Sequence, residues 1–186
     1  MREMAKELRI HRPDLLVRDP LDQVVRFFGA DPSSAGRNGY DAYVLSGRSP
    51  RNRIVDEDIV AINTTMGARS PHADWAKVIA RGALRELRSV DPSWDLFLTS
   101  DKDWSRFAVP ERIAALLRAV TGKGIGVSRA TKVLHIKRPR LLPICDSYVL
   151  DLMGIPGEGV TRAVALIEHA SHCAARSPSR AALASE

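Results

Sequence analysis

Between Pro110 and His135 the sequence carries two stretches of helical apolar spacing with a glycine turn between them. Ile113, Leu116, Leu117 and Val120 form the first stripe; Ile125, Ala130, Val133 and Leu134 fall on one face of the second. That period belongs to helices rather than strands. Gly124-Ile125-Gly126 supplies a turn in which the backbone can take positive φ and approach another molecule with no Cβ in the way. A second helix starting there exposes its first N–H groups and the positive end of its dipole, which together make a seat for phosphate.

Charge follows the same segment. From Arg112 to Cys145 there are eight Lys/Arg and no Asp or Glu, against a net charge of +6 for the whole chain, so the remainder sums to −2. A local basic window beside a glycine turn is the footprint of a nucleic-acid binder. The candidate DNA contacts are therefore Lys123, Gly124, Ile125, Gly126, Ser128, Arg129, Lys132, Lys137, Arg138 and Arg140. About four to six phosphate contacts are expected from such a window, giving a steep salt dependence.

GIGVSRATKVL resembles the helix-hairpin-helix motif, although Thr121-Gly122-Lys123 replaces its usual Leu-Pro opening. PICDSYV, further on, resembles the segment that carries the catalytic aspartate in the helix-hairpin-helix DNA glycosylase superfamily of endonuclease III and the adenine-mismatch glycosylases. The resemblance implies Asp146 as the catalytic carboxylate. It also implies that Ser128, at the position of the lysine in bifunctional members, leaves a monofunctional enzyme without Schiff-base chemistry. The corner in IVAINTTMGARS is similar to the loop that presents a wedge residue to DNA. Gly67 stands where that loop has glutamine, so Met66 or Arg69 would be the wedge. KRPRLLPICDSYV and DEDIVAIN also resemble an uncharacterised bacterial family of unknown function, which supplies no activity.

An N-glycosidic bond breaks with positive charge developing on the sugar, and a carboxylate near that charge stabilises it. Asp146 equally suits the N-cap of a helix beginning near Ser147. The alternative to a glycosylase is a non-enzymatic DNA-binding module that keeps the hairpin without the chemistry. A hydrolase of nucleosides or nucleotides fits less well, because the basic window is too extended for so small a substrate.

The other elements read as helices joined by loops. Asp19-Pro20, Asp56, Ser70-Pro71, Pro110 and Gly126-Val127 are expected helix starts. Ile59, Val60, Ile62 and Met66 are the expected apolar side of the second helix. Trp75, Val78, Ile79, Leu84 and Leu87 belong to one longer helix. Tyr40 to Leu45 is the one short piece with strand character. Residues 90–109 are irregular, and their aromatic rings read chiefly as anchors to the core. The expected class is all-α, with at most one short strand, in a helix-hairpin-helix glycosylase-like fold.

One domain of 186 residues is expected: an N-terminal helix and loop over 1–54, a core over 55–153 with the hairpin at 110–135, a C-terminal helix over 154–176, and a frayed tail over 177–186. A hydrophobic content of 45% suffices for a real core. Two cysteines, Cys145 and Cys173, lack CxxC spacing and cannot supply a four-cysteine cluster or zinc ribbon. His169 and His172 have no clear acidic partner, so no metal and no cofactor are expected. With no secretory segment or long apolar run, a monomeric, cytoplasmic, nucleoid-associated protein is expected, with no membrane partner.

Overall fold

A computed structural model describes residues 43–44, 46–82 and 84–175, with side chains as far as His172. The helix expected at Asp19-Pro20, the side chain of Cys173 and the tail from Ser177 lie outside the described residues. Eight helices are named here: α1 Asp56–Met66, α2 His72–Ala80, α3 Arg85–Ser89, α4 Asp101–Arg106, α5 Val109–Val120, α6 Val127–Lys137, α7 Ser147–Leu152 and α8 Gly159–Ala175. Among the described residues there is no sheet, and the fold is all-α. No described helix is long and apolar enough to cross a membrane.

The centre of the arrangement is α5, which packs against α3, α4, α6 and α8. Its four-residue stripe is the reason: Ile113, Leu116 and Leu117 are fully buried, and Val120 is 1% exposed. Pro110 sits in its first turn, where the missing N–H costs nothing, and the helix opens one residue earlier, at Val109. The buried cluster runs continuously from Ile54 to Ile167 and includes Trp75, Leu87, Val133, Leu134 and Leu141. At about 25 cal/mol per Å² of apolar area, each such large side chain stabilises the fold by roughly 1.5–3 kcal/mol.

Five local expectations are corrected. Val60 is 50% exposed, and the polar Asp58 takes a buried place on α1 instead. The long helix from Pro71 stops at Arg81, because Gly82 adopts φ +66 and the chain restarts at α3. Ser70 does not cap α2: its hydroxyl accepts the indole N–H of buried Trp75 at 2.7 Å. Residues 101–106 form α4, with Ser100 accepting the Asp103 N–H as N-cap. The strand-like piece is also revised in its described part, where Tyr43 and Val44 are helical.

Candidate nucleic-acid interface

The turn between α5 and α6 is closed by two backbone bonds, Gly122 N–H to Ile125 O and Ile125 N–H to Gly122 O, each 3.0 Å. Lys123 and Gly124 occupy its tip. Gly124 takes φ +79, where an L side chain is strained, and a Cβ there would lie 2.2 Å from Asp74 Oδ2. Glycine is thus required twice over, by conformation and by the carboxylate of α2 resting against the turn. Ile125, 3% exposed, pins the turn to the core. Gly126 then caps α6 in extended conformation with no side-chain cap bond, and the first turn of α6 holds no acid. Its leading N–H groups have no acceptor within the helix. Lys123, exposed beside them, adds a full positive charge.

The cations around this turn divide into two kinds. Arg129 is a fastener: its guanidinium donates to Ala68 O at 3.2 Å, to Arg69 O at 3.0 Å and to Gly124 O, with Asp74 Oδ2 3.9 Å away. Lys132 reaches Met66 O at 3.4 Å, at the negative end of α1. The α1–α2 corner is thereby held to the hairpin. Within that corner Asn63 grips both polar groups of the Ser70 backbone. Met66 is packed in part against the core, whereas Arg69 is exposed, with φ +47. Of the two wedge candidates, Arg69 is the more exposed. Arg118 on α5 is also exposed.

Lys137 and Arg138 are corrections to the expected contact set. The Lys137 side chain is fully buried and pairs with the equally buried Asp58. Asp58 also accepts Tyr43 OH at 2.9 Å, Ser49 OH at 2.7 Å and the Val55 N–H at 2.9 Å. Burial lowers the Lys137 pKa from its ordinary value, opposed by Asp58, and it lifts the Tyr43 phenol to about 12 with Asp58 adding to the effect. Arg138, 2% exposed, donates to Val90 O, Arg51 O, Lys137 O, Leu87 O and Asn52 Oδ1. A charged group gains nothing from a solvent-side phosphate it cannot reach. Arg140 is exposed but lies beyond the far end of α6, where it pairs with Asp95 at 3.0 Å.

Asp146 is half-buried and caps α7, its Oδ1 accepting the Val149 N–H at 2.9 Å. The residue before it is tied to α6: the Cys145 N–H donates to Thr131 Oγ1 at 3.1 Å, and the Thr131 hydroxyl reaches back to Ser128 O at 3.2 Å. This two-bond chain draws the Asp146 segment to the first turns of the hairpin's second helix. Burial, with a smaller push from the Asp146 charge, raises the Cys145 thiol to about 12, which disfavours the reactive thiolate. The clefts lined by Tyr43, by Trp94 and by Ile136 do not include Asp146.

Sequence reasoning missed Asp58 and Asp74. Asp58 stands inside DEDIVAIN at the third helical position, a visible capping signal, but nothing local marks its partner 79 positions away. Asp74 reads as an ordinary first-turn acid of α2.

Fold and site together define a helical protein with a glycine hairpin between α5 and α6 and an aspartate-capped helix tied to it. The chain belongs to a family of unknown function, DUF6308, whose model matches residues 21–180. No curated protein and no solved structure matches it.

Proposed function

We propose that this protein binds DNA through the α5–α6 hairpin and acts as a monofunctional glycosylase in which Asp146 is the carboxylate. The observation that carries the binding reading is the glycine-capped, acid-free start of α6 with Lys123 exposed at the turn. A backbone phosphate would sit on the first N–H groups of α6, with Lys123, Arg69 and Arg118 around it. The likeness to helix-hairpin-helix DNA glycosylases supplies the chemistry: the free oxygen of Asp146 would stabilise the sugar cation and orient water, after the base leaves the stack. Ser128 offers no amine, so the product would be an intact abasic site.

The binding test is duplex affinity against salt. With Lys137 and Arg138 buried, about three phosphate contacts remain, and the log–log slope should be roughly −3 rather than the steeper value the full window implies. Gly126→Val should weaken binding, whereas Arg180→Gln should not. Absence of binding at low salt would sink the hairpin reading.

The catalytic test is base release from a panel of lesion-bearing duplexes, read by alkaline cleavage. Asp146→Asn keeps an adequate cap but loses the charge, so release should fall by several orders of magnitude with little change in stability. The second reading, a non-enzymatic binding module, is favoured by the use of Asp146 Oδ1 as a cap. That reading stands if duplex binding is intact and the wild-type chain releases no base from any lesion.

A further inference from the structure

The loop before α4 and the corner after it enclose a cleft of about 410 Å³ that the hairpin does not use. Small-molecule sites typically measure ~300–1,000 Å³. One wall is aromatic: the Trp94 and Phe107 rings lie 5.9 Å apart at 32°. Each ring carries a guanidinium over one face. The Arg112 guanidinium lies 6.0 Å from the Trp94 ring centre and Arg106 lies 5.3 Å from that of Phe107. Arg112 also donates to Phe107 O at 2.7 Å and to Ser89 O at 2.8 Å, which fixes the corner to α3.

The lining also carries one oriented cation. Arg140 uses its Nε on Asp95 Oδ2, while its side chain remains 64% exposed. The pairing holds the stem and leaves the two terminal nitrogens for an anion. Asp95 itself is only 14% exposed and already accepts the N–H groups of Phe97 and Leu98, so its charge is absorbed locally. Asp103 accepts the Ser100 hydroxyl at 2.8 Å and remains within the cleft as a polar acceptor. An aromatic ring face, an acceptor for an amine and an arginine fork together suit a nucleotide. Stacking holds the base, Asp103 suits an exocyclic amine, and Arg140 suits the phosphate.

We propose that this cleft binds a nucleotide, with its base on Trp94 and Phe107 and its phosphate on Arg140. The site is independent of the hairpin. Arg140 follows the C-terminal end of α6, and that helix of 11 residues puts about 16 Å between it and the glycine turn. The nucleotide could be free or part of a single strand; the recognition chemistry is the same.

Titration calorimetry on the full chain tests this with deoxyadenosine monophosphate, deoxyadenosine, inorganic phosphate and an eight-nucleotide single strand. The monophosphate should bind, and phosphate alone should not bind in the same range. Trp94→Leu should weaken the monophosphate about tenfold or more, the usual scale for losing one stacked base. Arg140→Gln, at an exposed position, should erase the advantage of the monophosphate over the nucleoside while leaving nucleoside binding in place. A single strand that competes with the monophosphate and is weakened by Trp94→Leu names a strand site; binding of the monophosphate alone names a free-nucleotide site. Gly126→Val should leave all of this unchanged while it weakens duplex binding, so failure of either site is read separately. The assignment is overturned if the monophosphate does not bind at millimolar concentration, or if it binds equally well to both cleft variants.

Discussion

Removing Asp58 should harm this protein far more than removing Lys137, although the two form one ion pair. The Asp58 carboxylate gathers four donors: the Lys137 ammonium, the Tyr43 and Ser49 hydroxyls, and the Val55 N–H. Asp58→Ala takes the acceptor from all of them and leaves a fully buried ammonium with the Ser49 hydroxyl in place of its counter-charge. Breaking a buried pair by removing one partner costs about 3–5 kcal/mol, and the stranded neutral donors push toward the upper end. Lys137→Met keeps the stem in place and leaves the carboxylate three hydrogen bonds, so its cost should be nearer 2 kcal/mol. A chain of this size loses about 2–4 °C in melting temperature per kcal/mol. Asp58→Ala should therefore melt roughly 10–15 °C below wild type and Lys137→Met roughly 4–8 °C below. Thermal unfolding followed by tryptophan fluorescence measures both, since Trp75 and Trp104 are core residues. The double variant should cost less than the two single costs added, because the stranded ammonium is gone. A Lys137→Met protein as unstable as Asp58→Ala would refute the reasoning. So would one of normal stability whose DNA affinity had dropped, because that result belongs to a surface phosphate contact.

Gly124→Ala should cost the turn about 1–2 kcal/mol in backbone strain and force Asp74 aside, so duplex affinity should drop several-fold with the helical circular dichroism retained. Unchanged affinity would separate Gly124 from the phosphate seat. Stability should fall as pH rises from about 9, the ordinary thiol value, toward the folded value of about 12 for Cys145. The folded state holds the thiol proton where the unfolded state releases it, so the stabilisation is complete below pH 9 and is lost above it. Cys145→Ala should lessen that alkaline decline in urea midpoints at pH 8 and 10.5, leaving the share of the Tyr43 phenol, and an undiminished decline would assign it to other groups.

The helical class and the α5 stripe were legible because both are local. Ile113, Leu116, Leu117 and Val120 repeat with the helix period, and the stripe needs no partner to be recognised. Gly82 was harder: a single glycine inside a helical pattern can be tolerated or can end the helix. Here its φ of +66 ends it, and the Leu84 N–H is taken by Asn52 O at 2.8 Å, a bond across 32 positions. The buried pair was illegible for the same reason. DEDIVAIN and KRPR both stand out in the sequence, but no periodicity says that Asp58 of one meets Lys137 of the other. The same gap affected Ser70, whose cap-like position was claimed by an indole.

Charge is where the sequence misleads most, because composition weighs every cation equally. Lys137 and Arg138 hold α6 to the chain before α1 and to the end of α3, through Asp58, Ser49 and backbone carbonyls. Arg129 serves the hairpin as a brace between Gly124 and the α1–α2 corner. A partner approaching the glycine turn therefore meets a smaller charge than the sequence window suggests, but one whose geometry is fixed from three directions. If Arg129 were instead a free phosphate ligand, Arg129→Lys would be nearly neutral for binding. As a brace with three carbonyl acceptors it cannot be replaced by lysine, whose single ammonium cannot span them. The corner bearing Arg69 and the turn bearing Lys123 then lose their common support, and any DNA contact that needs both weakens without either residue being touched.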